Sequence, residues 1–211
     1  MSTFLKRLIS GSVFAVVMIG SIILGRISFL LLFLVLTLST LMEFYRFGYK
    51  ARIRPQYLYA LFLGGLIFIT NYLFAIGRLG PYIFLGLIPL ISSVFIIELF
   101  RNHNRPMHNI AFTLLGLIYV AFPFSMLNYF ALSYSEFRIG YQTHVLIGYL
   151  LLMWANDTGA YAVGMSIGRN RLFPKISPKK SWEGLIGGFF FTALVAWIIS
   201  LFFTNVPLIH W

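Results

Sequence analysis

The chain has 211 residues, 60% of them hydrophobic and only 10% charged, with 23 Phe and 12 Tyr; ordinary globular chains carry roughly 45–50% apolar and about 25% charged residues. Set out in long uncharged runs, that balance excludes soluble, disordered, collagen-like and coiled-coil chains and reads as a polytopic membrane protein. The absence of cysteine excludes disulfide scaffolds, cysteine-ligated zinc and thiol catalysis, and the formal charge of +11 is read as setting orientation rather than as binding nucleic acid.

In chain order, Lys6-Arg7 precede an apolar run that looks like a secretory leader. No small-residue cleavage site follows and a second run starts at Ile27, so the first run is read as a retained span. Charges and loop residues then mark seven candidate spans at about residues 8–24, 27–42, 57–76, 82–97, 110–132, 145–168 and 185–203. Each approaches the ~20 residues that cross a bilayer. The expected fold is all-α: a polytopic integral membrane helical bundle of about seven transmembrane helices, forming a single domain over residues 1–211. The short connection at Gly25-Arg26 predicts a tight helical hairpin. The N-terminus and successive loops carry 2, 1, 4, 1, 2, 1, 5 and 0 Lys+Arg, so alternate segments hold 13 and 3. The positive-inside rule puts the first set, including residues 169–180, in the cytoplasm.

The five acids separate by context. Glu43 and Glu98 have Arg46 and Arg101 three residues on, the spacing of a helical ion pair. Glu136 shares a predicted outer loop with Arg138 and reads as solvated. Asp157 is the one charge in the run 145–168. An aspartate at a span centre costs about 2.5–3.5 kcal/mol on insertion scales and needs a partner or a watery cavity. Asn156, Thr158 and the glycines that follow predict a span interrupted near Asp157; a structural acid paired with a buried cation is the alternative. Gly164 and Gly168, and again Gly184 and Gly188, have the small-x-x-x-small spacing of closely packed membrane helices.

Residues 169–180 hold five of the sixteen basic residues. Ser177 or Ser181 is placed to N-cap the last span, with Pro178 suited to a first helical position. Such a helix start offers N–H groups to a phosphate, with Lys179 and Lys180 beside it. Glu183 follows one turn away as a metal or hydroxyl contact. Carboxylates at 157 and 183 that hold Mg²⁺, with lysines that neutralise phosphate charge, are what nucleotidyl or phosphoryl transfer needs. An ionised phosphate monoester needs no histidine base, and His103, His108, His144 and His210 lack metal-ligand spacing.

Asn156-Asp-Thr-Gly-Ala-Tyr161, then Gly168-Arg-Asn-Arg-Leu-Phe-Pro-Lys-Ile-Ser-Pro-Lys-Lys-Ser-Trp-Glu-Gly184 and Gly187-Gly188, resemble the phosphatidate cytidylyltransferase (CDP-diacylglycerol synthase) family. Leu5-Lys-Arg-Leu-Ile and Glu43-Phe-Tyr-Arg46 are similar as well, so the likeness runs through essentially the whole chain, with residues 156–188 as signature loop and flanking helix ends. The resemblance implies an enzyme of the bacterial-type cytoplasmic membrane. It would condense CTP with phosphatidic acid to give CDP-diacylglycerol and pyrophosphate, with Mg²⁺ or another divalent cation, in phospholipid biosynthesis. It implies catalytic roles for Asp157, Lys179, Lys180 and Glu183, metal ligation by Asp157 and Glu183, and substrate-binding roles for Asn156, Tyr161, Lys175, Ser177 and Ser181. Membrane lipid is the expected surrounding, and a homodimer is left open. Two departures stand out: Met165 occupies a position where many relatives have Lys or Arg, and the later signature with His-Gly-Gly and Asp-Arg is absent. The expectation is a C-terminally truncated member, inactive by itself. A CTP-dependent polyprenol or phytol kinase and a non-enzymatic transporter are the competing readings.

Overall fold

The structure is a computed structural model that describes residues 3–135 and 138–203, with side chains for 9–132 and 141–203; Glu136 and His210 lie outside them. The chain forms two compact units, Met1–Gln142 and Thr143–Trp211.

The first unit is helical: α1 (Thr3–Ile23), α2 (Arg26–Lys50), α3 (Tyr57–Ala75), α4 (Ile83–Arg101), α5 (Pro106–Gly116), a π-helical turn (Leu117–Ala121) and α6 (Phe122–Ala131). A two-stranded antiparallel hairpin, β1 (Leu132–Ser135) with β2 (Arg138–Tyr141), closes it, Leu132 facing Tyr141. The expected tight connection between the first two helices is present. Gly25 takes φ +125°, open in practice only to glycine, and the Ser28 hydroxyl is 2.7 Å from both the Ser21 and Gly25 carbonyls.

Helix α2 buries Phe29, Phe33, Thr37, Leu41 and Tyr45, one residue every fourth position, which is the spacing of a single helix face. Leu41 seats against Gly64 of α3, and the Tyr45 ring covers Gly116 while its hydroxyl donates to the Thr113 carbonyl at 2.8 Å. Between bilayer-spanning helices lipid removes the hydrophobic drive, so such close contacts and interhelical hydrogen bonds carry the association. The π turn has a local cause: Pro123 has no N–H and its ring would crowd the carbonyl four residues back, and the wider turn before it absorbs the misfit.

Three boundaries differ from the sequence expectation. Helix α2 continues eight residues past Met42 because Tyr45 and Gly48 still pack inward. Helix α4 continues to Arg101 because Glu98 and Arg101 are paired and bonded rather than solvated. The run around Asp157 is not interrupted: α7 (Thr143–Ile167) is continuous, packed against α8 along Asn156, Gly159 and Ala160.

The second unit comprises α7, a short antiparallel hairpin of β3 (Arg171–Phe173) and β4 (Ser177–Ser181), and α8 (Trp182–Phe202). The two hairpins are absent from the all-α expectation. Among the described residues five helical segments are long and apolar enough to cross a membrane: α2, α3, α4, the continuous Pro106–Ala131, and α8. A shorter apolar stretch, Ile9–Ile23, lies within α1. The protein is thus an integral membrane protein, predominantly α-helical.

Candidate active site

The site candidates gather on the α7–hairpin–α8 unit, and glycine decides how closely its two helices approach. A methyl group added at Gly188 would lie 2.5 Å from Asn156 Oδ1, and one at Gly184 would lie 2.8 Å from the Ala160 carbonyl. Gly159 meets Phe191 and Gly187 meets Val163 in the same way. The glycine repeats are therefore a packing seam between antiparallel helices, as the spacing alone suggested.

At the end of the seam the chain reverses through the basic hairpin. Arg171 pairs with Ser181 and Phe173 with Ser177, with an irregularity between them. The buried Ser181 is the N-cap of α8, its hydroxyl accepting from Gly184 N at 3.1 Å. Of the two proposed caps it is Ser181 that serves; Ser177 and Pro178 lie in β4, so Pro178 is not a first helical residue. Lys179 and Lys180 also belong to β4, ahead of the first helical turn. Neighbouring strand residues point to opposite faces, so the two ammonium groups flank the strand instead of stacking over the helix end. Trp182 N is taken by the Asn170 carbonyl at 3.0 Å. Much of the helix start is therefore spoken for within the chain, which leaves anion contact mainly to the exposed Lys175, Lys179 and Lys180.

Glu183 is held in place. Its carboxylate accepts from Arg169 N at 3.2 Å, Asn170 N at 3.2 Å and Asn170 Nδ2 at 2.8 Å. A carboxylate in the first turn also suits the helix dipole. Asn170, which the sequence reading passed over, is its principal partner, and nothing in the residue spacing announced it.

Asp157 contrasts with it. It is exposed on α7, and among the described residues no hydrogen bond or ion pair engages its carboxylate. The seam pairs Asn156 with Gly188 and Ala160 with Gly184, which offsets Asp157 from Glu183 by roughly 6–9 Å along the helices at 1.5 Å per residue. The Glu183 carboxylate turns further away, toward residues 169 and 170. The two acids thus do not converge on one ion, and no group of three His, Asp or Glu residues gathers among the described residues. The pair does not fit a shared Mg²⁺ site in this arrangement.

Tyr161 is 69% exposed on α7, and Ser177 is half-buried in β4. Met165 is exposed near the end of α7, where a cation would have extended the basic surface. Asn156 lines an apolar groove of about 680 Å³ with Leu152, Met153, Ile186 and Phe189. Aliphatic and aromatic walls, one amide and an unengaged carboxylate one residue on suit a ligand with a hydrocarbon body and a polar head.

Apolar spans and a lysine-rich hairpin that ends in a capped helix define a helical membrane protein with a polar, anion-ready segment at one helix turn. The profile of the Cytidylyltransferase family matches residues 5–211, and the chain belongs to that family. It is 40% identical over 100 residues to a phosphatidate cytidylyltransferase of Haemophilus influenzae, covering 44% of this chain and 34% of that one. A Rickettsia bellii protein of the same name is 32% identical over 143 residues, 68% of this chain and 58% of that one. One from Staphylococcus haemolyticus is 37% identical over 101 residues, 48% and 35% of the two chains. The matches therefore span about a third to three fifths of these relatives' lengths. No solved structure matches the chain.

Proposed function

We propose that this chain forms part of a phosphatidate cytidylyltransferase. A phosphate oxygen of phosphatidic acid attacks the α-phosphorus of CTP, a new P–O–P linkage forms, the bond to the β-phosphate breaks, and pyrophosphate leaves. The observation that carries the reading is an unengaged Asp157 beside an apolar groove, on the unit that also bears three exposed lysines. The groove suits the acyl glycerol body. Lys175, Lys179 and Lys180 offset negative charge on the triphosphate as it redistributes toward the leaving pyrophosphate. The relatives' names support this substrate pair. Glu183 and Ser181 act through the backbone, one fixing the start of the hairpin and the other the start of α8. A divalent cation, where the reaction uses one, falls to Asp157 rather than to both acids.

The same reading completes the membrane topology with α1 and α7 as further crossings, seven in all. It puts the basic hairpin in the cytoplasm, where CTP is found, in keeping with the 13-to-3 distribution of Lys+Arg.

Membranes containing the protein, given phosphatidic acid and CTP labelled either in cytidine or in the γ-phosphate, test the reading. Cytidine label in the lipid product supports it. Lipid that takes up only the γ-phosphate label assigns a kinase instead.

A further inference from the structure

A second polar site lies in the first unit. The loop after α2 and the loop between α4 and α5 enclose a cavity of about 530 Å³ lined by Arg52, Arg54, Asn102, His103, Asn104 and Arg105. Its cations are unneutralised: among the described residues no carboxylate lies within ion-pair distance of Arg52, Arg54 or Arg105.

The backbone singles out the same place. Among the described residues three non-glycine residues have positive φ, Arg52 at 58°, Asn102 at 45° and Arg105 at 61°, and all three line this cavity. Asn102 follows α4 directly, a position where asparagine is ordinary. Arg52 closes α2 as a left-handed cap, with Arg52 N on the Tyr49 carbonyl at 3.1 Å and Ile53 N on the Gly48 carbonyl at 2.9 Å, whereas Arg105 precedes α5 in a left-handed position that glycine would fill without strain. Strained backbone of the kind seen at Arg105 clusters at ligand-binding sites.

The cavity also has a rigid frame. Buried Glu98 accepts from Asn109 Nδ2 at 2.7 Å, Gln56 Nε2 at 3.0 Å and Arg101 at 2.7 Å. Asn109 Oδ1 in turn accepts from Arg54 N at 2.8 Å, and Arg101 donates to the Arg54 carbonyl at 3.0 Å. Arg54 is thereby gripped through its backbone on both sides while its guanidinium stays available. Orientation by positive charge needs only the charges; it needs neither strained backbone nor a frame.

Position names the ligand class. Four apolar helices end or begin at this cavity, which places it where spans leave the bilayer. Leu99, Phe100 and Met107, beside it on α4 and α5, are 81%, 84% and 71% exposed. We propose that this cavity binds the phosphate headgroup of an anionic membrane lipid. The arginine forks hold the phosphate oxygens, and Leu99, Phe100 and Met107 lie along the acyl chains. The proposal is independent of the activity assigned to the second unit.

The test is calorimetric titration of the detergent-purified protein with dihexanoyl phosphatidate, dihexanoyl phosphatidylcholine or inorganic phosphate. A Lys175→Ala, Lys179→Ala, Lys180→Ala background removes binding at the hairpin. Saturable binding of the phosphatidate, at least tenfold tighter than of inorganic phosphate or the choline lipid, is expected. Replacing Arg52, Arg54 and Arg105 together by lysine keeps the charge and should weaken phosphatidate at least tenfold. Arg52→Gly, which relieves the backbone, should melt at a higher temperature than the parent and still bind several-fold more weakly. Unchanged affinity in Arg52→Gly or in the lysine variant overturns the site. Equal affinity for inorganic phosphate and phosphatidate overturns the lipid assignment.

Discussion

Two carboxylates on long helices, Glu98 on α4 and Asp157 on α7, are treated in opposite ways by the fold. Glu98 is 3% exposed, and both of its oxygens are engaged, by Asn109, Gln56 and Arg101. Asp157 is exposed and, among the described residues, nothing bonds to it. A carboxylate bonded on both oxygens belongs to the fold, because removing a partner would leave a buried group unpaired. An acid without a protein partner contributes no such bonds to the fold. Both side chains are carboxylates; the partners differ.

The comparison is sharpened most by exchanging each acid for a neutral side chain. Asp157→Asn should cut cytidylyl transfer on the order of 10³-fold, about 4 kcal/mol of transition-state stabilisation, while the melting temperature in detergent hardly moves. Assays of initial rate beside thermal unfolding of the same preparation check both halves. A variant that turns over normally would return Asp157 to a structural role. Glu98→Ala should do the reverse. Stripping one partner from a buried, bonded ion pair costs about 3–5 kcal/mol, and the loss should appear in unfolding of the first unit. An unaltered melting curve would show that the network is not holding that unit together.

Hydropathy and charge spacing made the helices legible, because runs such as residues 57–76 map directly onto α3 (Tyr57–Ala75). Ends were read less well. The apolar runs stop at 42 and 97, whereas the contacts that carry the helices on come from residues distant in sequence, Thr113 for Tyr45 and Gln56 and Asn109 for Glu98. The Glu98–Arg101 pair was legible from its spacing, and it forms at 2.7 Å; among the described residues the Glu43–Arg46 counterpart does not. The continuity of α7 was not legible, since asparagine, aspartate, threonine and glycine in succession favour an interruption by local preference and only packing against α8 overrides it. In the basic segment Ser181 was recognised as one of two caps. The hairpin was missed because five basic residues and two prolines carry no alternation to signal strands.

The glycine seam tests whether the second unit depends on packing as the first depends on bonding. Gly184→Val would drive a branched side chain into the Ala160 carbonyl and the Gly164 backbone, 2.8 and 3.2 Å from its Cβ. Overpacking of this kind costs about 1–3 kcal/mol. Separation of α7 from α8 should show as increased proteolysis at the hairpin, whereas Gly80→Val, where nothing lies within 4 Å, serves as the matched control.

The smallest effect belongs to the cap. Ser181 is 4% exposed, and its hydroxyl accepts from Gly184 N at 3.1 Å; a first-turn N–H of α8 would otherwise face a buried alanine. Ser181→Ala should cost about 1 kcal/mol and fray the start of α8. Because Glu183 sits in that same turn and grips Asn170 at 2.8 Å, fraying should loosen the hairpin that carries Lys179 and Lys180. The expected kinetic signature is a raised KM for CTP with a smaller change in kcat, since the cations are displaced and not deleted. Ser181→Thr keeps the accepting oxygen but adds a methyl next to Gly164 and Gly168, so Ser181→Asp, which caps as well without a branch at Cβ, is the better rescue. Recovery of KM in Ser181→Asp would tie the hairpin's position to the cap. An unchanged KM in Ser181→Ala would separate the hairpin from the helix it leads into.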